Sequence, residues 1–114
     1  MTHSIDAQNK RLGRVASEAA RFLSGKESVN YAKNKITGDF VTITNASKLV
    51  ISEKKSLGKK YVTYTMYPGG LKSETLSERR KRKGIVDVLH KAVRGMLPAN
   101  KLRPRILKRL KITE

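Results

Sequence analysis

From Lys54 to Lys111 the chain carries eighteen Lys and Arg residues against three acids. Any fold must hold that charge on its outside, because a buried, unpaired cation is very costly. Each helix in this half must therefore separate one apolar face from one basic face. Two stretches do so. Ile85, Val86, Val88, Leu89, Ala92, Val93, Met96 and Leu97 recur at helical spacing, and Pro98 ends the run, which predicts a helix over 85–97. In VRGMLPANKLRPRILKRLK (Val93 to Lys111), Leu102, Ile106, Leu107 and Leu110 follow at steps of four, one and three. That spacing predicts a second amphipathic helix, docked by its apolar face. It presents Arg94, Lys101, Arg103, Arg105, Lys108, Arg109 and Lys111, with no acid among them. Asn100 is its candidate cap, and Pro104 biases Arg103 away from helical angles.

The imbalance belongs to the second half. Residues 1–53 hold eight cations and five acids, net +3, whereas the whole chain stands at +17. Such a charge repels itself in an isolated fold, and a polyanion removes that cost. Nucleic acid is the first candidate and an anionic membrane surface the second. At 114 residues, 38% of them apolar, the chain is expected to form a single domain, 1–114, with a modest core. The absence of cysteine excludes disulfides and thiolate metal sites. Two histidines and scattered acids lack metal-ligand spacing, so neither a metal nor a cofactor is expected. MTHSIDAQNK lacks the apolar segment of a signal peptide, and no apolar run approaches the ~18 residues of a membrane span. A soluble cytoplasmic protein is expected.

The first half reads as α/β. His3 to Ala7 predicts a short strand centred on Ile5. A helix follows Gly13, with Val15, Ala16, Ala19, Ala20 and Leu23 on one face and Gly25 placed to stop it. Residues 26–38 read as loop, and Phe40 to Thr44 as a buried strand. Asn45 suits a turn or cap. Leu49 to Ile51 predicts a further strand, Glu53 to Lys60 a basic turn, and Tyr61 to Tyr67 a last strand broken by Pro68, Gly69 and Gly70. Ser73 to Leu76 reads as a helix start, with Ser73 its possible cap. The five consecutive cations Arg79, Arg80, Lys81, Arg82 and Lys83 repel one another, so that run is expected to be ordered only against phosphate.

These features nominate an RNA-contact set without catalytic residues. Arg11 and Arg14 flank the first helix. Lys54, Lys55, Lys59 and Lys60 flank the basic turn. Tyr67, Gly69, Gly70 and Lys72 form a turn whose bare backbone admits a phosphate or ribose. Arg79 to Lys83, Arg94, Asn100, Lys101, Arg103, Arg105, Lys108, Arg109 and Lys111 complete the set. Tyr64 and Tyr67 are candidates for stacking on bases. A small RNA-processing enzyme using His90 and Asp87, three residues apart, with a lysine is the rival reading, but no nucleophile stands beside them. A DNA-binding module is a third, and the chain shows no dimerisation element for it.

Four segments in order carry a resemblance: IDAQNKRLGRVA (Ile5 to Ala16), TGDFVTITNASKLVIS (Thr37 to Ser52), YPGGLK (Tyr67 to Lys72) and the stretch from Val93 to Lys111, with its GMLP-x-NKL pattern. Together they resemble the large-subunit ribosomal protein L-thirteen family of bacterial type. Thr65 and Met66 stand where that family commonly has a histidine and a serine. The resemblance implies a three-layer α/β/α domain around a mainly parallel four-stranded sheet. It also implies a structural role in the large ribosomal subunit, with 23S rRNA and neighbouring large-subunit ribosomal proteins as partners, and uptake early in assembly. The family signature falls on Gly95, Met96, Leu97, Pro98, Asn100 and Lys101, and its glycine turn on Tyr67 to Gly70.

Overall fold

The computed structural model describes residues 2–114. A parallel sheet is formed by β1 (Thr2–Asp6), β2 (Phe40–Thr44) and β5 (Leu110–Ile112), in the order β1-β2-β5. In its register Ile5 lies beside Ile43, which lies beside Ile112. Val41 and Ile43 are fully buried, while Phe40 between strand and solvent is exposed, the alternation expected of a sheet covered on one face.

Helix α1 (Leu12–Ser24) packs on that face and buries Leu12, Val15, Ala16, Ala19, Ala20 and Leu23. Its alanines let it approach closely. Gly25 ends it at φ 76, and the Gly25 N–H donates back to Phe22. Helix α4 (Ile85–Met96) packs on α1 through Val88, Leu89 and Val93. Burying each such side chain stabilises the fold by about 1.5–3 kcal/mol before entropy is counted. The core therefore lies between the sheet, α1 and α4.

Several expectations fail here. The parallel sheet has three strands, not four. Leu49 to Ile51 contributes only one bridge, Val50 to Arg11, because Ser52 at once caps helix α2 (Glu53–Gly58) by accepting from the Lys55 N–H. The basic turn over Glu53 to Lys60 is thus largely helical. The second face of the sheet, with Thr2, Ser4 and Phe40 exposed, carries no helical layer among the described residues. The long C-terminal helix is also absent. Residues 103–107 form one short helix, α5 (Arg103–Leu107), and Leu110 joins the sheet opposite Val41. Ile106 is the buried anchor of α5, and Leu107 is only partly covered.

Residues 60–75 make an antiparallel hairpin, β3 (Lys60–Tyr64) with β4 (Leu71–Thr75), pairing Tyr61 with Glu74 and Tyr64 with Leu71. The strand expected through Tyr67 therefore stops at Tyr64. The hairpin projects, so the Cα radius of gyration is 15.1 Å, against about 13 Å for a compact chain this long. Val62, Tyr64, Met66, Tyr67 and Leu71 are exposed on it.

The five-cation run is not a loop awaiting phosphate. It lies in α3 (Leu76–Lys83), capped by Thr75 rather than Ser73. Thr75 Oγ1 accepts from the Glu78 N–H, and the Glu78 carboxylate accepts from the Thr75 N–H. Arg80 to Lys83 fall in the last turn, where the helix dipole favours cations.

Candidate nucleic-acid interface

The predicted cations divide into those the fold has already engaged and those it leaves outward. Arg79 belongs to the first group. Its Nε donates to Asp87 at 2.7 Å and its Nη1 to Glu74 at 3.3 Å, with the side chain only 12% exposed. Its guanidinium also lies 5.1 Å from the centre of the Tyr61 ring. Arg82 donates to both Glu74 oxygens, at 2.6 and 3.1 Å. Arg109 donates to the Gly38 carbonyl and covers the Phe40 ring. Asn100 donates through Nδ2 to the Lys33 carbonyl and accepts from the Leu102 N–H, tying the C-terminal segment to the 26–39 loop. Asp87 thus pairs with Arg79, not with His90 as the enzymatic reading required.

The Arg82 hydrogen bond, assisted by the charges of Arg82, Arg79 and Lys83, holds the Glu74 carboxyl below its ordinary value. A depressed carboxylate contributes stability above its unfolded pKa and loses it as pH falls through the folded value. Glu74→Gln is therefore expected to flatten the fall in Tm between pH 5 and pH 3, measured by thermal melts across that range.

The outward cations surround a set of adjoining depressions over α1 and α4. One is lined by Arg11, Arg14, Ser17 and Arg21 along the exposed side of α1. A second runs from Ser17 and Arg21 past Lys26 and Lys33 to Met96, Leu97 and Pro98. A third is lined by Gly13, Gly95 and Met96 with Lys55, Lys59 and Lys91. They meet at Gly13, Ser17, Arg21 and Met96, where Ser17 Oγ stands 3.4 Å from Met96 Sδ. A further hollow by Lys33, Asn34 and Lys101 extends the basic surface toward α5. Acids here are few and occupied: Glu27 pairs with Arg21 at 3.0 Å and Glu18 with Lys10 at 3.9 Å.

Of the nominated residues, this surface gathers Arg11, Arg14, Lys55, Lys59 and Lys101. Lys54, on α2, and Arg80, Lys81 and Lys83, on α3, are exposed on two helices that pack together beside the hairpin. Lys60 and Lys72 are exposed on the hairpin strands, and Tyr67 and Gly69 at its tip, while Gly70 is buried there. Arg94 is exposed near the end of α4, and Arg105, Lys108 and Lys111 along the C-terminal segment; Arg103 is partly covered. Sequence reasoning missed Lys91, Arg21, Lys26, Lys33, Gly13 and Ser17. The spacing Gly13, Ser17, Arg21 on one helix and Lys91, Gly95 on another was a usable signal, since residues four apart share a face.

Among the described residues no group of His, Asp and Glu is arranged to hold a metal ion. Among the same residues no helix is long and apolar enough to cross a membrane.

The sequence profile of the family described as Ribosomal protein L13 matches residues 1–114. The chain is 46% identical over 108 residues to the large ribosomal subunit protein uL13 of Syntrophus aciditrophicus, covering 95% of this chain and 75% of that one. The uL13 proteins of Geobacter sulfurreducens, at 45%, and Caldanaerobacter subterraneus, at 46%, match over the same shares. With a profile match along its whole length and relatives of this identity, the chain belongs to the ribosomal protein L13 family.

Proposed function

We propose that this protein is a structural, non-enzymatic constituent of the large ribosomal subunit in the cytoplasm. It binds 23S rRNA directly, lies beside other large-subunit proteins and enters the particle early. The observation that carries this reading is the continuous basic surface over α1 and α4, in a chain whose relatives are named as large-subunit proteins. Lys and Arg there neutralise phosphates and release counterions, while the rigid core sets their spacing. Recognition is mainly of RNA backbone and shape, because most contacts of a cation-rich surface go to phosphate and sugar, which position the protein without reading sequence. The exposed apolar residues of the hairpin are consistent with a second partner surface inside a particle, since a free monomer gains nothing by exposing them.

The test is binding to a fragment of 23S rRNA across a salt series. Log affinity is expected to fall linearly with log salt, by about 0.7 to 0.9 per phosphate contacted. A flat response, or equal binding to duplex DNA of the same length, contradicts the proposal.

A further inference from the structure

Gly13 and Gly95 stand in helices where the fold itself gives no reason for glycine. Gly13 is the second residue of α1, and Gly95 is next to last in α4. Neither has a positive φ. A Cβ built on either meets no atom within 4 Å, so close packing of the two helices does not demand them. Alanine is the better helix former at both places.

What the two glycines share is one hollow, walled by Lys55, Lys59 and Lys91 and lined by no carboxylate. The Lys59 and Lys91 ammonium groups lie 5.9 and 4.7 Å from the centre of the Tyr61 ring, which gathers their charge at one wall. Partial burial, with Arg79 nearby, holds Lys91 below the ordinary lysine range. An anion in the hollow offsets both effects.

We propose that this hollow seats one phosphodiester unit of an RNA strand, its phosphate shared by Lys55, Lys59 and Lys91 and its ribose laid against the bare backbone of Gly13 and Gly95. The inference rests on the reading of the chain as an RNA binder. It adds which atoms approach and why two helical positions lack side chains.

The experiment compares the full chain with Gly13→Ala/Gly95→Ala and with Lys55→Gln/Lys59→Gln/Lys91→Gln, using an rRNA fragment and, separately, inorganic phosphate as probes. The double alanine variant is expected to melt a few degrees higher than the parent. Its RNA affinity is expected to drop at least tenfold with an unchanged salt slope, while inorganic phosphate binds it as it binds the parent. The triple glutamine variant is expected to lower the salt slope by about 0.7–0.9, the value for one phosphate. Unchanged RNA affinity in the alanine variant overturns the seat, and does so without touching the general proposal if the parent still binds RNA salt-dependently. A loss of two or three phosphate equivalents in the glutamine variant also overturns it, since the lysines then serve separate phosphates.

Discussion

Gly38→Ala is expected to destabilise the protein by about 4 kcal/mol or more, the range kept for backbone clashes and lost cores. A Cβ on Gly38 comes 1.8 Å from the Leu23 carbonyl oxygen and 2.4 Å from its carbon. Both are backbone atoms of a buried helix end, so no side chain can swing aside. The segment is fixed there from both flanks. The Asp39 N–H donates to the Phe22 carbonyl at 3.2 Å, and Arg109 binds the Gly38 carbonyl from the far end of the chain. Any relief of the clash must therefore move β2, which follows directly, or the end of α1. Urea denaturation of the purified variant measures the loss. A change below about 1 kcal/mol means the crossing of 38 over α1 is not as close as described. Gly38 and Gly95 make opposite predictions from the same residue type, because one has backbone pressed against it and the other has open space.

Arg79→Ala is expected to cost about 2–3 kcal/mol, although it removes one positive charge from an over-charged chain. Glu74 keeps Arg82 as a partner, whereas Asp87 loses its only ion-pair partner among the described residues. The Tyr61 ring loses the guanidinium over it as well. Arg79→Lys should recover only part of the loss, because an ammonium lacks the rigid planar donor set that holds both carboxylates in fixed geometry. The loss should also be local. Arg79 connects the hairpin, through Glu74 and Tyr61, to α4, through Asp87. Amide exchange in 60–75 should therefore quicken more than in β2. If Arg79→Ala is neutral in stability and costs RNA affinity instead, Arg79 faces the partner and the contacts above are incidental.

The charge that dominates the sequence thus has two destinations, and the sequence reports only its sign. Arg79 and Arg80 are neighbours in one basic run. One is folded into an ion-pair cluster, while the other is exposed near the C-terminal end of α3. What separates them is the position of Asp87 in another helix and of Glu74 across the hairpin junction. Likewise Arg109 reads as one more cation of a basic helix, but it is held by a carbonyl in the 26–39 loop.

What the sequence determined by itself is what local physics enforces: the apolar stripes of α1 and α4 at helical spacing, the β-branched strand at 40–44, the glycine that stops α1, the proline after α4, and a surplus of positive charge that must face outward. Tertiary structure alone decided the rest. Leu110 has helical spacing from Ile106 and Leu107, but pairing beside Val41 gives its backbone hydrogen bonds and a sheet position, so the chain extends there. Leu71 to Thr75 has no clear alternation of its own and becomes a strand because Lys60 to Tyr64 lies across from it. The lysine-walled hollow has the same origin: its residues come from α1, α2 and its cap, β3 and α4, and only the tertiary fold brings them together.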